Sequence, residues 1–388
     1  MPGPSNDNLH KALLPQGLRD LLPPDAEAEA EAVGRLIAVL ASHGYERVKP
    51  PLMEFEENLL AGAGAAMAPE TFRLMDPISQ RMIGLRADMT TQVARIAGTR
   101  LAKAPRPLRL CYAGEALRVR GSDMQPERQI GQVGAELIGS TATAADIEAV
   151  TLAAAALSSL GIEGLSVDLT LPTLVPAICR AAGISGAAQE TLRRALDHKD
   201  AAGVAAAGGK AASLLQKLLA AAGAAAPALK ALAALDLAPE AKAERERLTA
   251  VAEQLAKAMP SLSITIDPVE NRGFEYHTGV SFSFFARSIK TELGRGGRYR
   301  TDTDHGHGAG EDATGFTLYT EAVLEAMMPH RPAPRLYVPA GNGAAAASRW
   351  RTQGYVTVAG LVPVEDAAAE ARRLGCSHVL DGEKAVAL

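Results

Sequence analysis

The sequence predicts a chain of mixed helices and strands, with one large domain interrupted by a helical insertion and followed by a small domain. Strand-like segments occur on both sides of a stretch at 172–260, which is rich in Ala and Leu and is broken into short helices by Gly and Pro. A proline-rich segment at 331–334 precedes a β-α-β-α-β pattern. We therefore place the two domains at 1–330 and 331–388, with the insertion at 172–260.

Composition limits the class of protein. The chain has 388 residues, of which 47% are hydrophobic, and its net charge is -4, so it can form large cores and has no overall basic surplus for nucleic acid. Its three cysteines, Cys111, Cys179 and Cys376, are far apart and form no C-x-x-C pair, which argues against disulfides and cysteine zinc sites. No signal peptide and no apolar run of about 18 residues is found. We expect a cytoplasmic protein with no membrane association.

Before the insertion, the apolar spacing predicts a helix that Asp25 caps and that ends at Gly44. A hairpin is expected at 72–75 and 81–85, because Asp76 and Pro77 form a turn signal between them. The other predicted elements of this part are a helix at 89–101, strands at 108–112, 115–120 and 128–139, a helix at 144–160 and a strand at 165–171.

After the insertion, strands are predicted at 262–266 and 274–285 and a helix at 321–328, with a glycine-rich segment at 294–300 between them. The small domain is predicted to have strands at 335–338, 355–358 and 378–380. Its helices are expected at 344–353 and 364–374.

The strand at 128–139 carries an unusual polar face. Alternation places Gln132, Gly134 and Glu136 on that face, with the two polar side chains about 13 Å apart. Because Gly134 has no side chain, its backbone leaves a floor between the two polar side chains on which a small, polar, cationic ligand could lie. The alternative is a solvent-facing strand with an incidental glycine.

The strand at 274–285 shows a similar pattern, since alternation separates a face of aromatic residues that includes Tyr276 from a small, polar face with His277 and Gly279. Arg272, just before it, could bind a carboxylate through two hydrogen bonds. The alternative for Arg272 is an exposed turn arginine. Asp88 likewise has a structural alternative as the N-cap of the helix at 89–101.

Two glycine-rich segments carry weak signals. Residues 293–300 match neither a P-loop nor the dinucleotide fingerprint, and are explained either by close approach to a ligand or by a β-bulge. The following loop at 301–312 contains possible metal ligands, but polar runs interleaved with glycine are usually solvated. We therefore predict no metal site and no cofactor, and leave these side chains unassigned: Asp302, Asp304, His305 and His307.

Taken in order, eight segments resemble the core of the class II histidyl-tRNA synthetases over residues 13–328. They are LLPQGLRDLLP, HGYERVKPPLMEF, GLRADMTTQVAR, RLCYAGEALR, RQIGQVGAELIG, ENRGFEYHTG, LGRGGRY and ATGFTLYTEAVL. The resemblance implies an α+β fold, in which helices flank an antiparallel sheet, with the helical insertion and a small C-terminal α/β domain added.

The resemblance also implies roles for residues in a histidine-binding site. Asp88, Thr90 and Gln132 correspond to contacts of the ligand ammonium group, and Glu136 and His277 correspond to contacts of the imidazole. Tyr276 belongs to the same motif as His277, Arg272 matches the carboxylate contact, and Arg118 matches the α-phosphate contact of ATP.

Departures from the synthetase pattern concern the handling of ATP. Ala322 stands where the family has an arginine for the phosphates, and Arg120 stands where it has an acidic residue. The last ~55 residues are short for an anticodon-binding domain. A histidine site combined with damaged ATP positions is similar to the regulatory subunits of ATP phosphoribosyltransferase.

This second resemblance implies a subunit without catalytic residues. It implies assembly with a short catalytic subunit in the first step of histidine biosynthesis, a homodimer of this chain within a hetero-oligomer, L-histidine as ligand, and no tRNA or membrane partner. Two alternatives remain: a divergent histidyl-tRNA synthetase that activates histidine with ATP, and an amino-acid-binding paralogue that acts on another partner.

Overall fold

A nine-stranded sheet dominates the computed structural model, which describes residues 13–121, 126–271, 276–301, 310–327 and 332–388; the strand count covers these residues. The chain divides into two compact units between residues 328 and 329. The first part of the large unit contains α1 Asp25–Ser42, β1 Glu46–Arg47, β2 Met53–Phe55, α2 Glu56–Leu59, β3 Arg73–Met75, β4 Met82–Leu85, α3 Thr90–Gly98, β5 Leu108–Leu117, β6 Gln129–Ile138, α4 Thr143–Ser159 and β7 Leu165–Thr170.

The insertion is helical in the structure. Its elements are α5 Leu174–Ala182, α6 Ala187–Asp197, α7 Ala201–Ala207, α8 Ala212–Ala220, β8 Gly223–Ala224, α9 Ala225–Ala233 and α10 Pro239–Ala258. The chain then returns to the large sheet through β9 Ser263–Asp267, β10 His277–Ala286, β11 Gly294–Arg300 and β12 Asp312–Tyr319, and α11 Thr320–Ala326 follows.

The order of the large sheet is β1-β5-β6-β12-β11-β10-β7-β9-β8. Its central strands pair antiparallel from β5 through to β7, whereas β1 pairs parallel with β5 and β9 pairs parallel with β7. A second, antiparallel sheet has the order β2-β4-β3. The predicted α+β fold with an antiparallel sheet is confirmed.

Helices α1 and α4 pack against the sheet because each has an apolar face. Leu36 and Leu40 of α1 are fully buried in one core with Val150 and Leu157 of α4 and Val133 of β6. Burying each such side chain contributes about 1.5–3 kcal/mol, so this layer holds the central strands in place. The opposite face of β6 carries the polar side chains Gln132 and Glu136.

Local sequence patterns predict some elements correctly and others wrongly. The hairpin is confirmed as β3 and β4, and Oδ1 and Oδ2 of Asp76 accept hydrogen bonds from the backbone N–H groups of Ile78 and Ser79 in its turn. The cap predicted at Asp25 is wrong, because Pro24 occupies the N-cap position and Asp25 is the first helical residue. The strands predicted at 108–112 and 115–120 are one strand, β5.

Strands β11 and β12 were not predicted from the pattern of the sequence. Glycine has low strand propensity, so the segment at 294–300 resembles a turn. In the sheet, however, a Cβ on Gly296 would lie 2.2 Å from the carbonyl oxygen of Gly315 and 2.7 Å from Cζ of Phe282. Glycine is needed there because neighbouring strands and an aromatic ring leave no room for a side chain.

The second unit is a small α/β domain. It contains β13 Arg335–Val338, α12 Gly343–Arg351, β14 Val356–Ala359, α13 Ala367–Arg373, β15 His378–Asp381 and β16 Lys384–Ala387. Its sheet order is β14-β13-β15-β16, in which the first three strands are parallel and β16 pairs antiparallel with β15. Two separate cores, which include Ala347 of α12 and Ala371 of α13, cover the two faces of this sheet.

Within the described residues, none of the helices is both long and apolar enough to cross a bilayer. The same part of the chain holds no group of three His, Cys, Asp or Glu side chains arranged for a metal ion. The four side chains left unassigned at 302–307 lie outside the described residues, as does Arg272.

Candidate functional site

A cavity of about 370 Å³ lies at the polar face of the large sheet, between strands β6, β10, β11 and β12 and the start of helix α3. This volume is typical of small-molecule pockets. It brings together residues that are far apart in the chain. The sequence-predicted residues that line it are Asp88, Thr90, Arg118, Glu136, Tyr276 and His277.

Asp88 is held in place at the start of helix α3. Its Oδ1 accepts a hydrogen bond from the backbone N–H of Thr90 at 2.8 Å, and its Oδ2 accepts one from Nε2 of Gln132 at 2.9 Å. Oε1 of Gln132 in turn accepts the N–H of Met89 at 3.1 Å. The N-cap position itself is Met89, so the prediction that Asp88 is the N-cap is off by one residue. Asp88 both binds the first turn of the helix and presents a carboxylate to the cavity.

Glu136 is the buried acid of the site, with 1% of its surface exposed. Its Oε2 accepts a hydrogen bond from the hydroxyl of Tyr299 at 3.0 Å, and the hydroxyl of Tyr112 donates to its Oε1 at 3.3 Å. Burial raises the pKa of Glu136 to about 8, although these hydroxyls favour the charged form. At neutral pH the carboxyl group of the empty site is mostly protonated, so it can donate a proton to a ligand base or share one with it.

The predicted ligand floor at Gly134 is wrong. A Cβ at this position would lie 2.3 Å from the hydroxyl oxygen of Tyr112, so the ring of Tyr112 already fills the space. The hydroxyl of Tyr112 also lies 2.8 Å from Oγ1 of Thr317 and 3.3 Å from Oγ1 of Thr90. Sequence reasoning missed Tyr112, because its role follows from the pairing of Tyr112 with Gly134 in the register of β5 and β6, which the alternation of one strand does not give.

Tyr276 and His277 both line the cavity, with ring centroids 4.2 Å apart in a stacked arrangement. Strict alternation places them on opposite faces, and this expectation is wrong because Tyr276 precedes the strand and the register of β10 shifts between His277 and Ser281. Gly279, on the small, polar face of the same predicted strand, does not leave open space, since a Cβ there would lie 3.1 Å from Cδ of Arg298.

Two arginines, Arg118 and Arg295, also line the cavity and bring positive charge to it. Arg295, which sequence reasoning missed, donates from Nε to Oε2 of Glu292 at 2.9 Å. Of the two predicted departures from the synthetase pattern, Ala322 is 3% exposed within the core and Arg120 is exposed at the surface. Neither residue lines the cavity.

Gly315 limits the space around Glu136, and this predicts a large effect of Gly315→Ala. The added Cβ would lie 1.8 Å from Oε2 of Glu136 and 2.6 Å from the carbonyl oxygen of Ala135. Because one of these atoms belongs to the backbone of a central strand, we expect the free energy of unfolding to fall by about 3 kcal/mol. Urea unfolding measures this change.

The control for this variant is Gly34→Ala in helix α1, where the added Cβ meets no atom within 4 Å. Because alanine favours a helix interior over glycine, this change should raise the free energy of unfolding by about 0.5–1 kcal/mol. A Gly315→Ala protein that is as stable as the parent protein would contradict the close packing around Glu136.

The chain is similar to known proteins over most of its length. The family model described as Histidyl-tRNA synthetase matches residues 17–323. The chain is 59% identical over 374 residues to an ATP phosphoribosyltransferase regulatory subunit of Paramagnetospirillum magneticum, covering 96% of this chain and 97% of that protein. It is 58% identical over 371 residues to the same-named protein of Rhodospirillum centenum, covering 96% and 95% of the two chains.

A solved structure supports the same assignment. The chain matches an ATP phosphoribosyltransferase regulatory subunit/histidyl-tRNA synthetase from Bacillus halodurans C with a TM-score of 0.80 and 25% identity, covering 93% of this chain and 96% of that one. Similarity therefore extends over the histidyl-tRNA synthetase-like sheet and most of the rest of the chain. On this sequence and structural evidence, the chain belongs to the family of ATP phosphoribosyltransferase regulatory subunits, which share the fold of the class II histidyl-tRNA synthetases.

Proposed function

We propose that this chain is a non-catalytic regulatory subunit that a short catalytic ATP phosphoribosyltransferase, a glycosyltransferase, needs for activity and for feedback by histidine in the first step of histidine biosynthesis. The observation that carries this proposal is a cavity lined by Asp88 and Glu136, whose carboxyl groups suit an amino-acid ligand, while the substituted positions Ala322 and Arg120 do not line it. A ligand site without a complete nucleotide site can still regulate a partner, if its ligand binds two assembly states with different affinity.

The proposed ligand is L-histidine, whose charges match those of the cavity. Asp88, with Thr90 and Gln132 beside it, is suited to the ammonium group, because its carboxylate faces the cavity and is fixed by two hydrogen bonds. Glu136 suits the imidazole, since a buried carboxyl group with a pKa of about 8 can share one proton with that ring. Stacked Tyr276 and His277 supply a flat wall, and Arg272 is proposed for the carboxylate from the sequence motif.

The loss of an arginine that would bind the phosphates of ATP favours a regulatory subunit over an enzyme that activates histidine. A phosphate contact by an arginine is a charged hydrogen bond, and losing one costs about 1.5–3 kcal/mol. At position 322 the chain has a buried alanine, which offers no donor. The runner-up, a divergent histidyl-tRNA synthetase, is favoured by Arg118, which does line the cavity. Histidine-dependent exchange of pyrophosphate into ATP distinguishes the two, and we expect none at synthetase-like rates.

For assembly, we propose a homodimer of this chain within a cytoplasmic hetero-oligomer that contains the catalytic subunit and no tRNA. Exposed apolar side chains around the small sheet β2-β4-β3 support a pairing surface for a second copy, because such clusters mark interaction sites. These side chains are Leu52, Met53, Leu74, Met75, Ile78 and Met82.

The proposed function predicts a specific separation of activation from feedback. The short catalytic subunit should form phosphoribosyl-ATP when this chain is added, and histidine should inhibit the mixture. With Glu136→Ala, activation should persist, while histidine affinity should fall between about tenfold and a hundredfold because the hydrogen-bond partner of the imidazole is lost. Glu163→Ala, in an exposed loop, is the matched control and should leave both properties unchanged.

Assays of phosphoribosyl-ATP formation with and without histidine, together with calorimetric titration, measure both properties. If the catalytic subunit is equally active without this chain, the regulatory proposal is wrong. If the chain activates it but Glu136→Ala binds histidine normally, the cavity is not the histidine site. If the native chain is instead purified in complex with an unrelated protein, the alternative of an amino-acid-binding paralogue that acts on another partner is favoured.

A further inference from the structure

An irregularity in strand β10 lies directly beside the cavity. Ser281 pairs with Gly297, and the next pairing toward the cavity joins His277 with Tyr299. Residues 278, 279 and 280 of β10 therefore stand opposite a single residue of β11, Arg298. Bulges of this kind redirect side chains next to binding sites, and this one delivers His277 and the preceding Tyr276 to the cavity.

The side chain of Arg298 fills the inside of this bulge. A Cβ on Gly279 would lie 3.1 Å from Cδ and 3.2 Å from Cβ of Arg298, so the methylene groups of the arginine pack directly on the glycine backbone. Gly297, the neighbour of Arg298, faces the other way, where a Cβ would lie 2.7 Å from Cδ2 of His277. The two closest contacts of the bulge are therefore at glycines: Gly279 lies against Arg298, and Gly297 lies against His277. The side chain of Arg298 packs inside the bulge.

The guanidinium of Arg298 is held by helix α4 and by the segment that precedes it. Its Nε donates to Oδ1 of Asp146 at 3.0 Å, Nη1 donates to the carbonyl oxygen of Ser140 at 2.8 Å, and Nη2 donates to that of Ala142 at 2.9 Å. The two charged side chains are 2% and 1% exposed. A buried ion pair with hydrogen bonds from all three guanidinium nitrogens holds its geometry rigidly, although it adds little net stability.

Arg298 and Tyr299 are adjacent in β11 and therefore point to opposite faces of the sheet. Tyr299 donates to Glu136 in the cavity, while Arg298 binds Asp146 on the other side. Arg298 is thus joined to Tyr299 through the same strand and packs on the bulge that follows His277. The ion pair lies behind two side chains that line the cavity, Tyr299 and His277.

We propose that Arg298 and Asp146 are positioning residues, which do not touch the ligand but set its affinity by holding the bulge of β10 and the register of β11. The inference concerns the geometry of the cavity, and it rests on the proposed function where histidine is named as the ligand. It predicts that helix α4 and the ligand site are mechanically coupled.

The test compares Arg298→Met, which keeps most of the side-chain length without the charge, with Arg298→Lys, which keeps the charge. In the full chain we expect Arg298→Met to weaken L-histidine binding by about tenfold or more, and Arg298→Lys to restore part of that loss, because small displacements of supporting residues loosen a site. Arg109→Met is the control, at an arginine whose ion pair is only partly buried. Arg109 joins β5 to the same helix through Glu148, away from the cavity, so its loss should lower the melting temperature without changing histidine affinity.

A second readout does not depend on histidine. Hydrogen–deuterium exchange of the peptide that covers β10 should be faster in Arg298→Met than in Arg109→Met. If Arg298→Met fails to fold, the double variant Asp146→Asn/Arg298→Met removes both buried charges and takes its place. Unchanged exchange in β10 together with unchanged histidine affinity overturns the positioning role. If the parent protein does not bind histidine, the proposed ligand is wrong, and the exchange rates alone decide whether Arg298 holds the bulge.

Discussion

Glu136→Gln is expected to stabilise the protein without ligand, by an amount that increases with pH from about pH 4.5 to about pH 8. The carboxyl group of Glu136 has a pKa of about 8 in the folded protein, against its ordinary value of 4.5, because burial penalises its charged form. Between these two values the folded protein binds one proton more than the unfolded chain, so the stability of the parent protein falls as pH rises. Glutamine has no charge to bury and does not suffer this loss.

The size of the effect follows from the difference between the two pKa values. A shift of about 3.5 pH units corresponds to about 5 kcal/mol, reached above pH 8, with about 3 kcal/mol present at pH 7. Urea unfolding of both proteins between pH 5 and pH 9 measures it, because other titrating groups contribute equally and cancel in the difference. A difference that stays constant over this range would show that Glu136 is charged in the folded protein throughout.

Glu148→Gln provides the opposite case for comparison. Hydrogen bonding from Arg109 lowers the pKa of Glu148, so the stability contributed by its charged form is complete above the ordinary value and is lost only as pH falls below it. The difference between this variant and the parent protein should therefore be destabilising and constant from pH 6 to pH 9. Both variants make the same chemical change on elements of the same unit, so the contrast separates a carboxyl group that burial destabilises from one that an ion pair with Arg109 stabilises.

Much of the fold follows from local patterns in the sequence. The apolar spacing of α1 and the turn signal at Asp76 are local features, and both led to correct elements. Strand β11 could not be predicted in this way, because its glycines are explained by distant neighbours, Phe282 and Gly315, that crowd it in the sheet. Local propensity favours a turn there, and tertiary packing overrides it.

In the candidate site too, some residues follow from local sequence patterns and others depend on how the strands pair. Alternation along β6 places Gln132 and Glu136 on one face, and resemblance to a family adds Asp88 and Thr90. The role of Tyr112 depends on which residue of β5 faces Gly134, and a single sequence does not contain that register. The bulge opposite Arg298 likewise requires knowledge of both strands, which is why simple alternation misplaced Tyr276 relative to His277.

Histidine binding is expected to be strongest between about pH 6.5 and pH 8. In this range the free ligand has a neutral imidazole, with a pKa of about 6.5, and the empty site has a protonated Glu136. The proposed complex holds one proton between the two groups, whether it resides on the ring or on the carboxyl, so no proton is exchanged with solvent. Below the range one proton must be released on binding, and above it one must be taken up.

Each of these exchanges weakens the affinity by about tenfold per pH unit outside the range. Glu136→Gln should bind histidine more weakly at neutral pH, and it should lack the alkaline decrease that comes from Glu136. Asp88 and His277 also line the cavity, but they are the same in both proteins. The dissociation constant of Glu136→Gln divided by that of the parent protein, both measured by calorimetry, therefore reports Glu136 alone. It should be constant from pH 6 to about pH 8 and then approach one, because the advantage of the carboxyl disappears once it has lost its proton. If the ratio instead grows above pH 8, the charged carboxylate binds the ligand and the shared proton is absent.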